Sequence, residues 1–417
     1  MPTITADNIM YVDLGDDPDF SISNIVSVKP EGLEWGEEVR NAGDISFQLS
    51  YSAEDQDNNT IASYGRDFIA PYRSYWRLRF GNIAICAGWI TVTSSKLGSD
   101  FMSITGKTWE DVPGRWEYPF DGRTSPDHTQ DFQFSKSLIN DEAVPGTLGV
   151  PLAGSGLAYE AFQRDVINIF SDIFETVMND VPYRITFDLS KLTTLSGIKT
   201  NYQLSLADNQ KIGSLISDLG GTGDGFDWWI STARKIYWAS PYRFGNPSAP
   251  SIIYTITDAD LETGFLFDSD FTNNGPIATH VQGRGAGSAT QSTLVRSYGY
   301  GPAQTQFSRF DESYDFGDVR NVNQLIRKTQ RQLALGLNPV HEVPISLDPR
   351  SYSGNYWSTF RIGRAIWATL DYGYHLLDSA QRLKSYRGKM SSTGDIQVDW
   401  TLEQIYPQST NVGTAEG

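Results

Sequence analysis

Residues 208–238 read DNQKIGSLISDLGGTGDGFDWWISTARKIYW, and the rest of the chain is best read outward from them. Ile212, Leu215, Ile216 and Leu219 recur at i, i+3, i+4 and i+7, the apolar stripe of a short helix. Asp208 suits the N-cap, and Gly220-Gly221 can end the helix in the left-handed conformation. Phe226-Asp227-Trp228-Trp229-Ile230 then alternates as a strand, and Lys235-Ile236-Tyr237-Trp238 returns after a polar turn. Phe226, Trp228 and Ile230 share one face, which must be covered. A helix leading into an aromatic hairpin at mid-chain predicts a connector clamped between larger bodies.

Both flanks are rich in strands. Upstream, residues 1–40 read as irregular and acidic apart from a strand over 22–28. Ile45, Phe47, Leu49 and Tyr51 then alternate with Ser46, Gln48 and Ser50, a strand with one buried face. Further strands are predicted over 75–80, 83–86, 89–94 and 101–105, separated by Gly, Ser and Asp turns. That spacing fits an antiparallel sandwich or barrel, closed by the Pro113-Gly114 turn. Residues 116–155 show no period and read as a long excursion. A helix is predicted over 157–179 from the stripe Phe162, Val166, Ile169, Ile173 and Val177, with a strand over 183–189. Downstream, strands are expected over 251–256, 264–267, 278–283, 294–298, 343–347, 357–362, 365–370 and 381–390, with a helix over 319–337. Ile396, Val398, Trp400 and Leu402 alternate with polar residues in a last strand.

The fold class is therefore a β-rich α+β chain, with two antiparallel β-barrels joined by a helical insert and a helix-hairpin connector. The expected divisions are a first barrel over 1–115, a loop and helical insert over 116–205 and the connector over 206–250. A second barrel follows over 251–406, then a disordered tail over 407–417.

A chain of 417 residues is long enough for several sizeable cores. Its formal net charge of −17 argues against wrapping nucleic acid, which needs clustered Lys and Arg. An acidic wall would instead let a polyanion slide past by like-charge repulsion. Cys86 is the only cysteine, so no intrachain disulfide forms, and its apolar strand setting predicts a structural thiol. No secretory signal or membrane-length apolar run is read, which predicts a chain made in a cytoplasm with no stable membrane insertion.

Asp55, Asp57 and Asn59 begin like a calcium loop, but Thr60 and Arg66 stand where glycine and a bidentate glutamate are required, which predicts a solvated loop. Asp13, Asp16, Asp17 and Asp19 read as a solvated charge run. Gly283-Arg284-Gly285-Ala286-Gly287 lacks the third glycine spacing of a dinucleotide loop and reads as a flexible hairpin tip. His128, His280, His341 and His375 are scattered without metal or triad spacing. Ser155, between Gly154 and Gly156, lacks the flanking strand of a nucleophile elbow. Glu110-Asp111 is one carboxylate pair of many that a glycosidase could use. Trp228 belongs with the core, while Trp229 on the other face is the candidate exposed aromatic, read as packing on a neighbouring subunit. The expectation is no catalytic residue, no metal site and no cofactor.

Four stretches, in order, resemble the central hub proteins of long-tailed bacteriophage tail tips, also called baseplate hub or minor tail proteins. Val39-Arg40-Asn41-Ala42-Gly43-Asp44-Ile45-Ser46-Phe47-Gln48-Leu49 is similar to the opening of that family's first barrel. Ile104-Thr105-Gly106-Lys107-Thr108-Trp109-Glu110-Asp111-Val112-Pro113-Gly114-Arg115 resembles its closing strand and turn. Residues 212–238 resemble its helix and hairpin, and Ala278-Thr279-His280-Val281-Gln282-Gly283-Arg284-Gly285, with the sheet ending at Leu402, resembles the second barrel. The resemblance implies two tail-tube-like barrels per chain and a homotrimeric ring that adapts a sixfold tail tube to a threefold tip. It also implies contacts with a distal tail ring, the tape-measure protein and other tip or fibre proteins. DNA would pass through the lumen without specific binding, and the chain would reside in the virion tail tip. No appended peptidase, lysozyme or fibre domain is read. The alternatives are a receptor- or carbohydrate-binding tail protein using Trp229, and a cell-wall hydrolase using carboxylates. Deleting the residues after Pro407 is expected to leave the melting temperature unchanged; a drop of several degrees would contradict the reading of that tail.

Overall fold

A computed structural model of the chain describes residues 9–20, 25–55, 58–64, 68–116, 157–180, 185–194, 199–205, 211–220, 226–239, 243, 245–246, 249–273, 278–285, 295–301, 304–305, 308–316, 322–337, 341–373 and 375–405. The first β body holds β1 (Met10–Gly15), β2 (Val26–Val28), β3 (Glu31–Glu38), β4 (Asn41–Ser50), β5 (Tyr75–Phe80), β6 (Ile83–Ser95) and β7 (Phe101–Thr108). The middle of the chain supplies α1 (Asp111–Arg115), β8 (Leu157–Asp165), α2 (Val166–Asp180), β9 (Lys199–Ser205) and α3 (Ile212–Gly220). The hairpin β10 (Asp227–Ile230) and β11 (Ile236–Ala239) follows, then the short pair β12 (Gly245–Asn246) and β13 (Ala249–Pro250). The second β body holds β14 (Ile252–Thr257), α4 (Ala259–Glu262), β15 (Leu266–Ser269), β16 (Thr272–Asn273), β17 (His280–Arg284), β18 (Val295–Gly299) and β19 (Asp311–Asp315). It continues with α5 (Val322–Leu337), β20 (His341–Leu347), α6 (Tyr356–Thr359), β21 (Ala365–Asp371), β22 (Leu376–Met390) and β23 (Ile396–Gln404).

The two β bodies run into one sheet of 14 strands, ordered β15-β20-β23-β22-β3-β4-β7-β6-β5-β1-β2, with β21 beside β22, β14 on β21 and β16 on β20. The reason is the length of β22, 15 residues. One edge of its first half pairs with β21, from Leu376 opposite Asp371 to Arg382 opposite Ala365. Its second half then pairs on that edge with β3, from Ser385 opposite Glu38 to Lys389 opposite Glu34. A bulge against β23 between Leu383 and Ser385 inserts one residue. The buried positions accordingly switch from Leu377, Gln381 and Leu383 to Tyr386 and Gly388. A single strand thereby serves both bodies while keeping its apolar face inward.

A shared core follows from the shared sheet. Met10, Val12, Trp35, Ile45 and Phe47 of the first body form one cluster with Val343, Trp357, Phe360, Trp400 and Leu402 of the second. Trp35 and Trp357 meet across the seam with ring centroids 5.8 Å apart. A second cluster lies under the connector. It joins Tyr75, Trp89, Trp109 and Val112 to Phe170 and Phe174 of α2, to the predicted stripe of α3, and to Phe226, Trp228 and Ile230. The face assigned to the hairpin from alternation is thus the buried one, with the Phe170 ring edge-on to Phe226 at 5.7 Å and tilted against Trp228 at 6.1 Å. A third, smaller cluster packs Ala278, Val281 and Tyr298 on Leu333 of α5.

Several local readings are corrected. Residues 157–165, expected to open the long helix, form β8 because they find a partner in β9; tertiary pairing overrides a mixed local pattern. Residues expected as a strand over 357–362 instead begin with α6, capped by the Asn355 side chain, which accepts from the Ser358 N–H at 3.1 Å. The supposedly irregular N-terminal segment contributes β1 and β3, and β6 is one strand where two were expected. Ile185 and Phe187 are buried, yet among the described residues of the expected strand a single bridge, Asp188 to Lys235, marks it. Gly283 lies within β17 under α5, where a Cβ would stand 1.9 Å from Thr329 Oγ1, so it is a packing position. The excursion over 117–156, Asp208, Gly221, Ala286, Gly287 and the segment after Ile405 lie outside the described residues.

Gly388 tests the seam directly. A Cβ there would lie 2.2 Å from the Trp35 ring, so Gly388→Ala is expected to destabilise the chain by about 1–3 kcal/mol or more. An unchanged urea midpoint would contradict that packing. Trp228→Ala should cost about 3–5 kcal/mol through the cavity it leaves, and a loss under about 1 kcal/mol would show the hairpin face to be loosely covered.

Candidate functional site at the joint between the β bodies

Alternation that sends Trp228 into the core sends Asp227 and Trp229 to the opposite face of the hairpin, against the seam. Asp227 is 2% exposed. Its carboxylate accepts from Arg40 Nε at 3.2 Å, from Arg382 Nη2 at 2.5 Å and from the backbone N–H of Arg243 at 2.8 Å. Arg40 sits in the β3–β4 turn with φ at 65°, and Arg382 belongs to β22. One carboxylate thus ties the first body, the second body and the connector.

Further bonds cross the same joint. Arg361 donates to the carbonyls of Ile85 and Ala84 on β6, at 2.9 and 3.2 Å. Arg243 donates to Ile362 O at 2.8 Å, and Tyr386 donates to Glu37 at 2.5 Å. These groups surround a cavity of about 350 Å³ lined by Glu37, Glu110, Arg40, Arg243 and Arg361 with Trp229. Burial raises the Glu37 carboxyl above its ordinary range, and burial together with the Glu37 charge raises Glu110 to about 7. Burial, reinforced by the neighbouring Arg364, lowers Arg243 to about 10. The cavity is a desolvated meeting point of both charge signs, which favours cross-linking over solvation.

The residues singled out from sequence are placed as follows. Trp229 stacks on Tyr237 at 5.5 Å with planes 6° apart, and the Arg243 guanidinium lies 4.1 Å over its ring. It is partly buried within its own chain, which corrects the reading of an exposed aromatic. Glu110 and Asp111 do not converge: Glu110 accepts from the Ile230 N–H at 2.9 Å, while Asp111 accepts from Trp89 Nε1 at 3.0 Å and Arg115 at 2.6 Å. Asp13 is fully buried and accepts from Ser27, Arg77 and Arg79, which overturns its reading as part of a solvated run. Asp19 pairs with Arg234 at the hairpin turn. Asp55 is buried and accepts from Asn59 and Tyr64, while Asp57 lies outside the described residues. Cys86 is 3% exposed beside the cavity, and burial pushes its thiol well up.

Ser155 and His128 fall outside the described residues, and the His375 ring lies 5.3 Å from Phe271. His280 has polar neighbours that its sequence spacing does not reveal: Ser297 at 2.6 Å and Asp311 at 2.5 Å, each from a different strand. Among the described residues no cluster of metal-ligating side chains occurs, and no helix is long and apolar enough to cross a membrane.

Asp227→Ala would leave Arg382 and Arg40 facing each other in a buried site and is expected to cost about 3–5 kcal/mol; a near-neutral effect in denaturant would show the clasp to be dispensable. For Glu110, the folded value of about 7 lies above the ordinary 4.5, so the native chain holds the extra proton between those limits. Its contribution is therefore favourable below the window and is lost as pH rises through it. Glu110→Gln, which keeps an acceptor for Ile230, should flatten the decline in stability from pH 5 to pH 8. An identical pH profile in variant and parent would contradict this.

Comparison with known proteins gives the fold a context. No protein-family model matches the chain, and no curated protein matches it in sequence. Solved structures do match, three of them as follows. A tail protein from Neisseria meningitidis aligns with a TM-score of 0.57 at 11% identity, covering 96% of this chain and 98% of its own. A 43 kDa prophage tail protein from Shewanella oneidensis aligns at 0.54 and 10% identity, covering 94% and 98%. A prophage tail protein from Listeria monocytogenes aligns at 0.50 and 11% identity, covering 96% and 95%. From end to end, the chain has the fold of phage and prophage tail proteins.

Proposed function

We propose that this chain is a structural hub of a bacteriophage tail tip. In this reading three copies close a ring, each contributing two tube-like β bodies, and adapt a sixfold tail tube to a threefold tip around the DNA-exit channel. Residues 1–115 and 251–406 supply the two bodies, 116–205 the insert, 206–250 the connector and 407–417 a tail. The partners are a distal tail ring, the tape-measure protein and further tip or fibre proteins, and the protein resides in the virion tail tip.

The observation that carries this reading is the continuous sheet joined at β22 and β3, in a chain whose tail-protein fold extends over nearly its full length. A ring subunit must hold two wall segments at a constant angle. A hydrogen-bonded seam backed by a shared core and a buried charge clasp supports that demand. The net charge of −17 suits a channel wall that does not retain DNA. The role is structural, with no cofactor. The joint residues support it further, since Trp229 is engaged by Tyr237 and Arg243 and Glu110 is turned inward.

Native mass spectrometry and negative-stain microscopy of the chain, alone and co-expressed with a distal tail protein, test the proposal. A trimer with a central bore is expected in the co-expressed sample. A twofold or open-ended assembly there, or a chain that stays monomeric with its partner present, would overturn it.

A further inference from the structure

The sheet β18-β17-β19 stands apart from the joint and carries an arrangement that a structural role does not require. Val281 and Tyr298 pair across it and pack on α5, and Gly283 lies against Thr329 of that helix. By the two-residue period of a strand, His280, Ser297 and, through the His280–Asp311 pairing, Asp311 share the opposite face. There Ser297 Oγ lies 2.6 Å from His280 Nε2, and Asp311 Oδ1 lies 2.5 Å from His280 Nδ1.

The order of these contacts matters chemically. Nδ1 faces Asp311 Oδ1 at 2.5 Å and Arg309 Nη2 at 3.3 Å; the nearer group is a carboxylate, which only accepts, so the ring proton is assigned to Nδ1 and Nε2 is left to accept from the Ser297 hydroxyl. That is the tautomer a general base needs. Arg309 Nε donates to Asp311 Oδ1, the oxygen that faces His280, at 2.9 Å and to Oδ2 at 3.1 Å, and with His280 it keeps that carboxyl below its usual range. His280 is 8% exposed, whereas Ser297 is half-buried and reachable.

Backbone geometry adds a donor. The His280 N–H bonds Phe310 O on the β19 side at 3.0 Å, so it does not point at Gly299, its partner on β18. In an antiparallel pair of that type the partner's N–H also points outward, and so does that of Ser297 two residues earlier. Among the described residues β18 is an edge strand of this sheet, which leaves the Ser297 N–H beside its own Oγ. Val295, 38% exposed and two residues from Ser297, lies on the same face and offers apolar surface to an acyl chain.

We propose that Ser297, His280 and Asp311 form a hydrolytic relay for carboxylic esters with a short apolar acyl group. Ser297 Oγ attacks the ester carbonyl as its proton passes to His280 Nε2, and the Ser297 N–H stabilises the resulting oxyanion. The carbon–oxygen bond to the alcohol breaks and the alcohol leaves with the proton from Nε2. Water then attacks the acyl-serine, giving its proton to Nε2. The carboxylic acid departs and Ser297 recovers its hydrogen. The net reaction is ester plus water to acid plus alcohol, and His280 and Asp311 end as they began.

The full chain treated with a fluorophosphonate probe should be labelled at Ser297, as read by peptide mass spectrometry. It should also hydrolyse p-nitrophenyl acetate and butyrate. Ser297→Ala should abolish both signals, and Asp311→Asn should lower kcat by roughly 10²- to 10⁴-fold while the fold is kept. Absence of label at Ser297 in the parent chain would overturn the proposal without reliance on any variant. Ester hydrolysis that survives Ser297→Ala unchanged would overturn it as well.

Discussion

A single buried carboxylate, that of Asp227, receives Arg40 from the first β body, Arg382 from the second and the backbone of Arg243 from the bridge between them. An isolated charge in that position would be costly, because desolvation penalises it by several kcal/mol. The cost is offset only when all donors arrive together. The clasp therefore acts as a constraint on geometry, demanding that the hairpin, the β3–β4 turn and β22 occupy one mutual arrangement. The β3–β22 ladder and the Trp35–Trp357 contact sit beside it and make the same demand through hydrogen bonds and apolar contact.

The cavity next to the clasp follows from that arrangement. Three parts of the chain meet there, and the side chains that reach across are long and charged, around a space of about 350 Å³. Glu37 and Glu110 face it with raised carboxyls because burial removes water faster than nearby guanidinium groups replace it. The joint is thus rigid where Asp227 holds it and responsive to protonation where Glu110 lines it.

Most of the connector was legible from periodicity. The α3 stripe and the hairpin face carrying Phe226, Trp228 and Ile230 are buried as their spacing requires, since local alternation dictates which side of an element is apolar. The final strand, with Val398, Trp400 and Leu402, was equally plain. Other features were hidden for a specific reason. Asp13 reads as one acid among several until Arg77 and Arg79 arrive from a strand distant in the chain. Residues 157–165 carry a mixed pattern that only the β9 partner resolves. Ser297 and Asp311 meet His280 because three strands lie side by side, and no local spacing encodes that meeting.

By itself, the amino-acid sequence determined the β-rich class, the mid-chain helix and hairpin, the apolar faces and the acidic balance, because each depends on composition or on the period of neighbouring residues. The tertiary structure alone decided that both β bodies share one sheet and one core, that Asp227 is a junction, and that Trp229 is covered by Arg243. Those outcomes depend on contacts between residues far apart in the chain. They are settled by the desolvation and packing of the assembled molecule, which no single stretch of residues carries.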